Sequence, residues 1–489
     1  MPQIINTNIA SLNSQRHLNN TQSALSTALE RLSSGKRINS AKDDAAGLGI
    51  SERMTTQING MNQAIRNARD GISMSQTAEG ALTTSGDMLQ RIRTLAVQSS
   101  NATNSVADRQ ALQDEVNELT AELNRIATTT KFNGQNLLDG TLGAQNYQVG
   151  ANANEVITSS GSNFQTSVYG NNRAYSTAVV GATVPATGFA AGALTVSGRY
   201  GSSTVTTALT DTAKSAAALI NAETGKTGVT ASAKTEAVLT ATANTSYSLN
   251  VTSNNATAIT VSFTVGAAQD ADGYAGAVNA INAASAKTGV VAEYSASLGG
   301  IKLTNAAGAN INLQAVTGTT ADATLDAITY ASATDVASAA GSAATVGDAA
   351  ATGARVVGTV TLDSQASFSI SGAVAAGFDV TSSQLKSVAN LDLTTFDKAQ
   401  LAIAVCDAAI NVINSEKARF GALQSRFEST IANLQVNSEN SSNARSRIRD
   451  ADYAQETAEL SRASILQQAG TAMLAQANQL PQTVLSLIR

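Results

Sequence analysis

The chain carries one histidine, His17, and one cysteine, Cys406, so the side chains best suited to proton transfer, metal ligation and thiol chemistry each occur once. A zinc helix of the HExxH kind needs two imidazoles and an internal disulfide needs two thiols, which excludes both. His17 therefore reads as an ordinary helix residue. Cys406 stands on an apolar stripe with Ile403, Ile410 and Ile413, where a small thiol fills a core. Asp43 and Asp44 follow Ser40 at an expected helix start, and carboxylates there suit the positive end of the helix dipole better than a metal. Arg445, Arg447 and Arg449, followed by Asp450 and Asp452, read as a solvated charged face or as ion pairs between copies. No nucleophile, base and orienting group stand at useful spacing, so neither catalysis nor a cofactor or metal is expected.

The chemistry left to the chain is association, and composition narrows its kind. A net charge of −5 with no dense run of Lys or Arg argues against nucleic acid as partner. Aromatics make up 4% and Trp is absent, so the core must be built from small side chains, as in closely packed helices or thin β modules. The opening MPQIINTNIASLNSQ lacks the basic, apolar and small-residue pattern of a secretory signal, and no apolar run is long enough to cross a bilayer. Taken alone these point to a cytoplasmic chain without membrane insertion.

The elements that must position an interface lie at the two ends. Only Pro2, Pro185 and Pro481 occur, which leaves Gln3 to about Asn136 and about Ser382 to Leu480 free of that helix breaker. Ile58, Met61, Ile65, Ala68, Ile72, Ser75, Glu79, Leu82, Gly86 and Leu89 step by three and four, and Leu112, Val116, Leu119 and Leu123 form a second seam. The stripe through Cys406 continues into Phe420, Leu423, Phe427 and Leu434 with the same step. Three long helices from both ends of the chain can bury these stripes in one bundle. The extreme ends repeat every seven residues: Ile5 and Leu12, then Leu18, Leu25 and Leu32, and at the other end Leu466, Met473, Leu480 and Leu487, with Ala477 and Val484 beside them. Each such helix buries about one apolar residue per turn, roughly 1.5–3 kcal/mol, against about 1–2 kcal/mol per residue of backbone ordering. These helices are expected to order only on association. Breaks are expected at Ser33, Ser34 and Gly35 and in the polar run Asn437 to Asn443, and a short β-hairpin between Lys131 and Ile157, where Asn133-Gly134 and Asp139-Gly140 are turn dipeptides.

Between the ends, roughly residues 177–380, the composition turns to Ala, Thr, Ser, Val and Gly. Ile220, Asn221, Ala222 and Lys226, Thr227, Gly228, Val229 recur 61 residues later as Ile281, Asn282, Ala283 and Lys287, Thr288, Gly289, Val290. Each copy reads strand, short helix, strand pair. The expected fold is thus multi-domain: an all-α, coiled-coil and helical-bundle core formed by both chain ends with a small β-hairpin region, and inserted α+β, β-rich outer modules. Its divisions are 1–42 with 450–489 as an inner terminal coiled-coil layer, 43–176 with 381–449 as a helical core, and 177–380 as the insert.

The segments INTNIASLNSQRHL, ALERLSSGKRINSAKDDAAGLGI, TKFNGQNLLDG, YQVGANAN and QANQLPQTVLSLIR, in this order, resemble bacterial flagellin over about the first 175 and last 110 residues. The resemblance implies a structural subunit that leaves the cell through the flagellar type III export apparatus, overturns the cytoplasmic reading, and places the chain outside the cell in an open helical homopolymer used for motility. It also implies partners besides a second copy of the chain: an export chaperone, the filament cap, the hook-filament junction proteins and host flagellin-sensing receptors. LQRIRTLAVQSSN, from Leu89 to Asn101, resembles the part read by the flagellin-sensing Toll-like receptor, with Arg91, Leu95 and Glu115 as contact residues. Packing alone would turn Leu89, Ile92 and Ala96 inward and leave Arg91 and Leu95 partly outward. By the same resemblance Val484, Leu485 and Leu487 belong to the feature read by a cytosolic sensor. Alternative readings are a hook-filament junction protein, which shares terminal helices, and a filament-borne adhesin acting through the insert, whose Ser and Thr could also carry O-linked glycans.

Overall fold

In a computed structural model the described residues are 7–181, 192–208, 211–316, 323–332, 337–341, 343–346, 353–372 and 377–487, with side chains omitted at 181 and 480–487. Long helices dominate both ends: α1 (Ile9–Ser34), α2 (Ala45–Ser99) and α3 (Val106–Thr129) on one side, α8 (Phe396–Arg449) and α9 (Tyr453–Leu487) on the other. Among the described residues the region between holds strands and the short α-helices α4 (Ala213–Ala222), α5 (Thr224–Thr227), α6 (Ala271–Ala283) and α7 (Ser285–Thr288). Two compact units emerge, one of Met1–Thr77, Leu142–Gly161 and Arg419–Arg489, the other of Ala78–Thr141 and Ser162–Ala418.

The first unit joins α1, the first part of α2, the end of α8 and α9 to a hairpin of strands Ala144–Gln148 and Val156–Ser160. Helix α2 starts where expected. Asp44 accepts from the Gly47 amide at 2.8 Å, and Asp43 accepts from the amides of Asn39 and Ser40 at 3.1 and 2.9 Å. Those backbone donors, Ser40 first, hold the Asp43 carboxyl below its ordinary value. The core gathers Ala68, Val149, Ile157 and Phe427, with Tyr147 meeting the Phe427 ring edge-on at 5.5 Å. Gly71 lets that ring lie on the α2 backbone, since a Cβ there would stand 2.6 Å from Phe427 Cζ.

Two expected features change. The polar run Asn437 to Asn443 lies inside the continuous helix α8, because Asn and Ser are only weakly unfavourable in a helix and the run contains neither Gly nor Pro. The break falls later, at Asp450–Asp452, opposite Gly35, whose φ of +68° ends α1. The arginines there do not form a uniformly solvated face. Arg449 meets Glu52 at 3.0 Å and Arg445 meets the Thr55 hydroxyl at 3.3 Å, while Arg447 is exposed. The hairpin expectation resolves into two hairpins, since Lys131–Phe132 and Gln135–Asn136 also pair across Asn133-Gly134 in the second unit.

In the second unit α3 opens with a capping box, Ser105 and Asp108 each bonding the other's amide. Gln113, buried on α3, donates to the Leu391 carbonyl at 3.0 Å and accepts from the Leu393 amide at 2.6 Å, which fixes the chain leading into α8. The strands are antiparallel. The largest sheet runs Val291–Ser295, Gly300–Asn305, Thr230–Thr240, Thr359–Ser364, Gly170–Tyr175, Gln384–Ser387, so it continues past both edges of the expected insert. The two repeats share it. Each ends its helix identically: Asn221 bonds the Ala231 amide and carbonyl, both at 2.7 Å, and Asn282 bonds those of Ala292 at 2.8 and 2.9 Å. Gly228 and Gly289, φ +74° and +70°, cap the helices that follow.

One polar joint ties this sheet to α8. The Glu236 carboxylate is buried 2.7 Å from Lys234 and 3.1 Å from Lys302, and accepts from the Tyr330 hydroxyl at 2.5 Å. Asp397, in the first turn of α8, stands 3.4 and 3.5 Å from the same lysines. Burial works to raise the Asp397 pKa, yet Lys234 and Lys302 outweigh it and hold the carboxyl below its ordinary 3.8.

Two outcomes follow. Replacing Gly71 with Ala forces the Phe427 ring to move and should lower stability by about 1–3 kcal/mol, whereas Gly80, with nothing near its missing Cβ, should gain up to about 1 kcal/mol from the same change; thermal unfolding of the two variants compares them. Because the folded Asp397 pKa is depressed, its contribution is complete above the ordinary value of 3.8 and is lost as pH falls through the lower folded value. Acid titration followed by hydrogen exchange of the strand Thr230–Thr240 should therefore show a step that Asp397→Asn removes.

Candidate functional site

Helices α1 and α9 lie antiparallel within one chain. Asn8 donates to the Ala477 carbonyl at 2.8 Å, Ser11 to Asn478 at 2.8 Å, and Gln467 to Gln22 at 2.7 Å. At the base Arg31 meets Glu456 at 3.1 Å, followed by a β-bridge between Lys36 and Asp450 and a 2.7 Å bond from the Arg37 amide to the Arg449 carbonyl. The expected mate of each terminal helix is thus the other end of the same chain.

On α1 the expected heptad Leu18, Leu25 and Leu32 turns inward, whereas on α9 the inward face departs from the expected heptad. On α9 the covered positions are Glu456, Leu460, Ala463, Gln467, Gly470, Leu474 and Ala477, stepping by four and three. That leaves Leu466 and Met473 outward, 52% and 63% exposed. On α1 the seam runs through Ser11, Leu18, Leu25, Ala28 and Leu32, and Leu12 is 53% exposed. Leu18 packs over Gly470, where a Cβ would come within 3.3 Å of its Cδ1. The seam sets leucines against small residues, and on α9 the signal missed was the small positions Ala463 and Gly470 beside Leu460 and Leu474. Ile5 lies outside the described residues; α9 includes Leu480, Val484, Leu485 and Leu487, whose side chains are outside the description.

In the second unit Arg91 and Glu115 pair at 2.7 Å across α2 and α3, both well exposed. Leu95 is 1% exposed and belongs to the core with Leu89, Ile92 and Ala96, which corrects its expected outward placement. A helix that packs on two sides buries adjacent positions 95 and 96 together. The neighbouring Arg93 is held by Asp407 at 2.6 Å, a partner no local spacing announces.

His17 is exposed on α1, and among the described residues no group of three or more His, Cys, Asp or Glu could hold a metal. Cys406 is fully buried in α8; burial pushes its thiol up to about 12. No described helix is long and apolar enough to cross a membrane. What the arrangement does present is a pair of complementary helices with large apolar residues on their outer faces.

The profile of the bacterial flagellin N-terminal helical region matches residues 5–142, and that of the C-terminal helical region matches residues 403–488. The chain is 44% identical to the B-type flagellin of Pseudomonas aeruginosa, covering 100% of both chains. The chain belongs to the bacterial flagellin family. It is also 34% identical to flagellin B of Vibrio anguillarum, over 99% of each chain, and 32% identical to flagellin B of Vibrio cholerae at the same coverage. Both matched regions fall on the helical ends, so the family signature coincides with the paired helices rather than with the repeats.

In the folded protein Cys406 should resist alkylation at neutral pH, since a thiol with its pKa raised to about 12 is both protonated and enclosed. One thiol per chain should label after denaturation. Rapid labelling of the native chain would contradict this placement.

Proposed function

We propose that this chain is the structural subunit of a flagellar filament, assembling outside the cell into an open helical polymer that serves motility after passage through the flagellar type III export apparatus. The observation that carries the reading is the outward apolar face of the α1–α9 pair, Leu12, Leu466 and Met473, in a chain whose relatives are flagellins along their whole length. Exposed residues of this size on a paired helix leave burial to another molecule, and contacts between surfaces unrelated by a closed rotation propagate into a helix. The α1–α9 pair then supplies the inner layer, residues 1–42 with 450–489. Residues 43–176 with 381–449 supply the surrounding helical core, and the repeats of 177–380 face outward. Terminal helices that gain most of their burial on association would also stay thin during export and resist premature assembly.

The partners that fit are further copies of the chain, an export chaperone covering the apolar terminal faces, and the cap and hook-filament junction proteins at the two ends of the polymer. For a host Toll-like receptor the reading rests on the exposed Arg91 and Glu115, with Leu95 supporting the helix of Arg91 from inside. Val484, Leu485 and Leu487 at the end of the chain are the corresponding feature for a cytosolic sensor.

Deleting residues 1–32 or 460–489 should abolish polymerisation, scored by sedimentation and electron microscopy, while circular dichroism and protease resistance of the remainder persist. Filaments formed by either truncated chain would refute the proposal.

A further inference from the structure

The two repeats put the same side chains to different use. In each, an asparagine near the end of the longer helix accepts from the amide and donates to the carbonyl of an alanine ten residues ahead, Asn221 on Ala231 and Asn282 on Ala292. Two such bonds to one residue are what a neighbouring antiparallel strand makes. A threonine extends the imitation, Thr227 accepting from the Val229 amide at 3.3 Å and Thr288 from the Val290 amide at 3.2 Å.

What lies along the same strand edge differs between the copies. In the first repeat the edge is filled. Next to Ala231 comes Ala233, against which the turn at Gly308 lies so closely that a Cβ added there would stand 2.5 Å from the alanine Cβ, and from Thr235 onward Gly300–Asn305 pairs with this strand. Asn221 therefore completes a ladder that other backbone already occupies. In the second repeat Val291–Ser295 pairs with Gly300–Asn305 on one side and is the last strand of its sheet among the described residues. Ala292 and Tyr294 turn their backbone groups to the open side, and Asn282 occupies the first of them. An edge of this kind is a template for another extended chain.

The strand can meet its own copy in only some registers. Glu293, with 63% of its side chain exposed, would face a second Glu293 if two such strands paired centred on it, a like-charge contact. Centred on Ala292 it lies opposite Val291, which is 54% exposed. Asn282 obstructs that register. Its amide competes well because α6 holds it beside the edge, whereas a second copy must be brought from solution.

We infer that Asn282 is a stop on the sheet edge: its amide holds the place where the strand Val291–Ser295 of a second copy of this chain would add, antiparallel and centred on Ala292, and so keeps the inserts of two copies from joining. Asn221, on an edge already filled, has the tethering part alone. Pairing between identical edges is self-complementary across a two-fold axis, so opening the edge yields a closed pair of chains. The inference concerns the insert of a single chain and does not depend on the filament reading.

The test compares Asn282→Ala with Asn221→Ala in the full-length chain, dilute and unassembled. Sedimentation velocity should show a concentration-dependent dimer for Asn282→Ala, with association at least about tenfold stronger than in the parent, and no such gain for Asn221→Ala, which loses the same tether. Hydrogen exchange should place the contact, with the Ala292 and Tyr294 amides of Asn282→Ala exchanging fast at low concentration and becoming protected as the dimer forms. Adding Val291→Glu, which sets carboxylates opposite each other across the two-fold axis, should return the chain to monomer, whereas association through a loosened core would persist. An Asn282→Ala chain that stays monomeric, an equal dimer in Asn221→Ala, or a dimer that survives Val291→Glu overturns the inference and leaves the asparagine a tether of α6.

Discussion

The structure depends on the meeting of its two ends. Lys36 and Asp450 bridge, and Arg37 hands its amide proton to the Arg449 carbonyl, across more than four hundred residues of intervening chain. Everything on the terminal side of that joint is a pair of helices with little core of its own. The entropic penalty for closing so long a loop grows only slowly with its length. That slow growth is why a large insert of strands can sit between the ends without weakening their contact in proportion. The joint itself combines backbone bonds and ion pairs such as Arg449–Glu52 with the buried side chain of Ile38, whose amide also faces the Arg449 carbonyl.

The two helical layers use different physics. Around Phe427 a ring is pressed onto bare helix backbone at Gly71, and shape complementarity sets the position to within a few tenths of an ångström. Between α1 and α9 leucines such as Leu18 and Leu474 lie against small residues, flanked by amide and ion pairs. In the strand-rich region the principle changes again. Short helices are tethered by side-chain amides that imitate an absent neighbouring strand, and a largely buried cluster of lysines and carboxylates fastens the sheet to the start of α8.

Much of this was legible in the sequence, for reasons that differ by element. The long helices announced themselves through absent prolines and a three-and-four step, and the flagellin motifs at both ends identified the family. The repeat was visible as identical residues at one offset. What escaped was phase and partnership. The seam of α9 runs through Ala463, Gly470 and Ala477, each three residues before a member of the heptad Leu466, Met473 and Leu480, because a hydrophobicity pattern cannot tell a face meant for its own chain from one meant for another. Leu95 went inward because α2 packs on two sides, and the break expected at Asn437 moved to Asp450 because polar residues without Gly or Pro do not stop a helix. Gln113 and the Arg93–Asp407 pair joined residues far apart in sequence, beyond the reach of local spacing.

The duplicated amide tether carries one more implication. Asn221 and Asn282 each reach a backbone position ten residues ahead, and their surroundings match over several residues. Unequal recombination between the two copies would therefore excise one repeat at a junction where the surviving asparagine finds an equivalent alanine, Ala292 in place of Ala231. The copies are nonetheless not separate beads, because Thr230–Thr240 also pairs with Gly300–Asn305 and Thr359–Ser364, so a change of repeat number would have to be absorbed by the shared sheet.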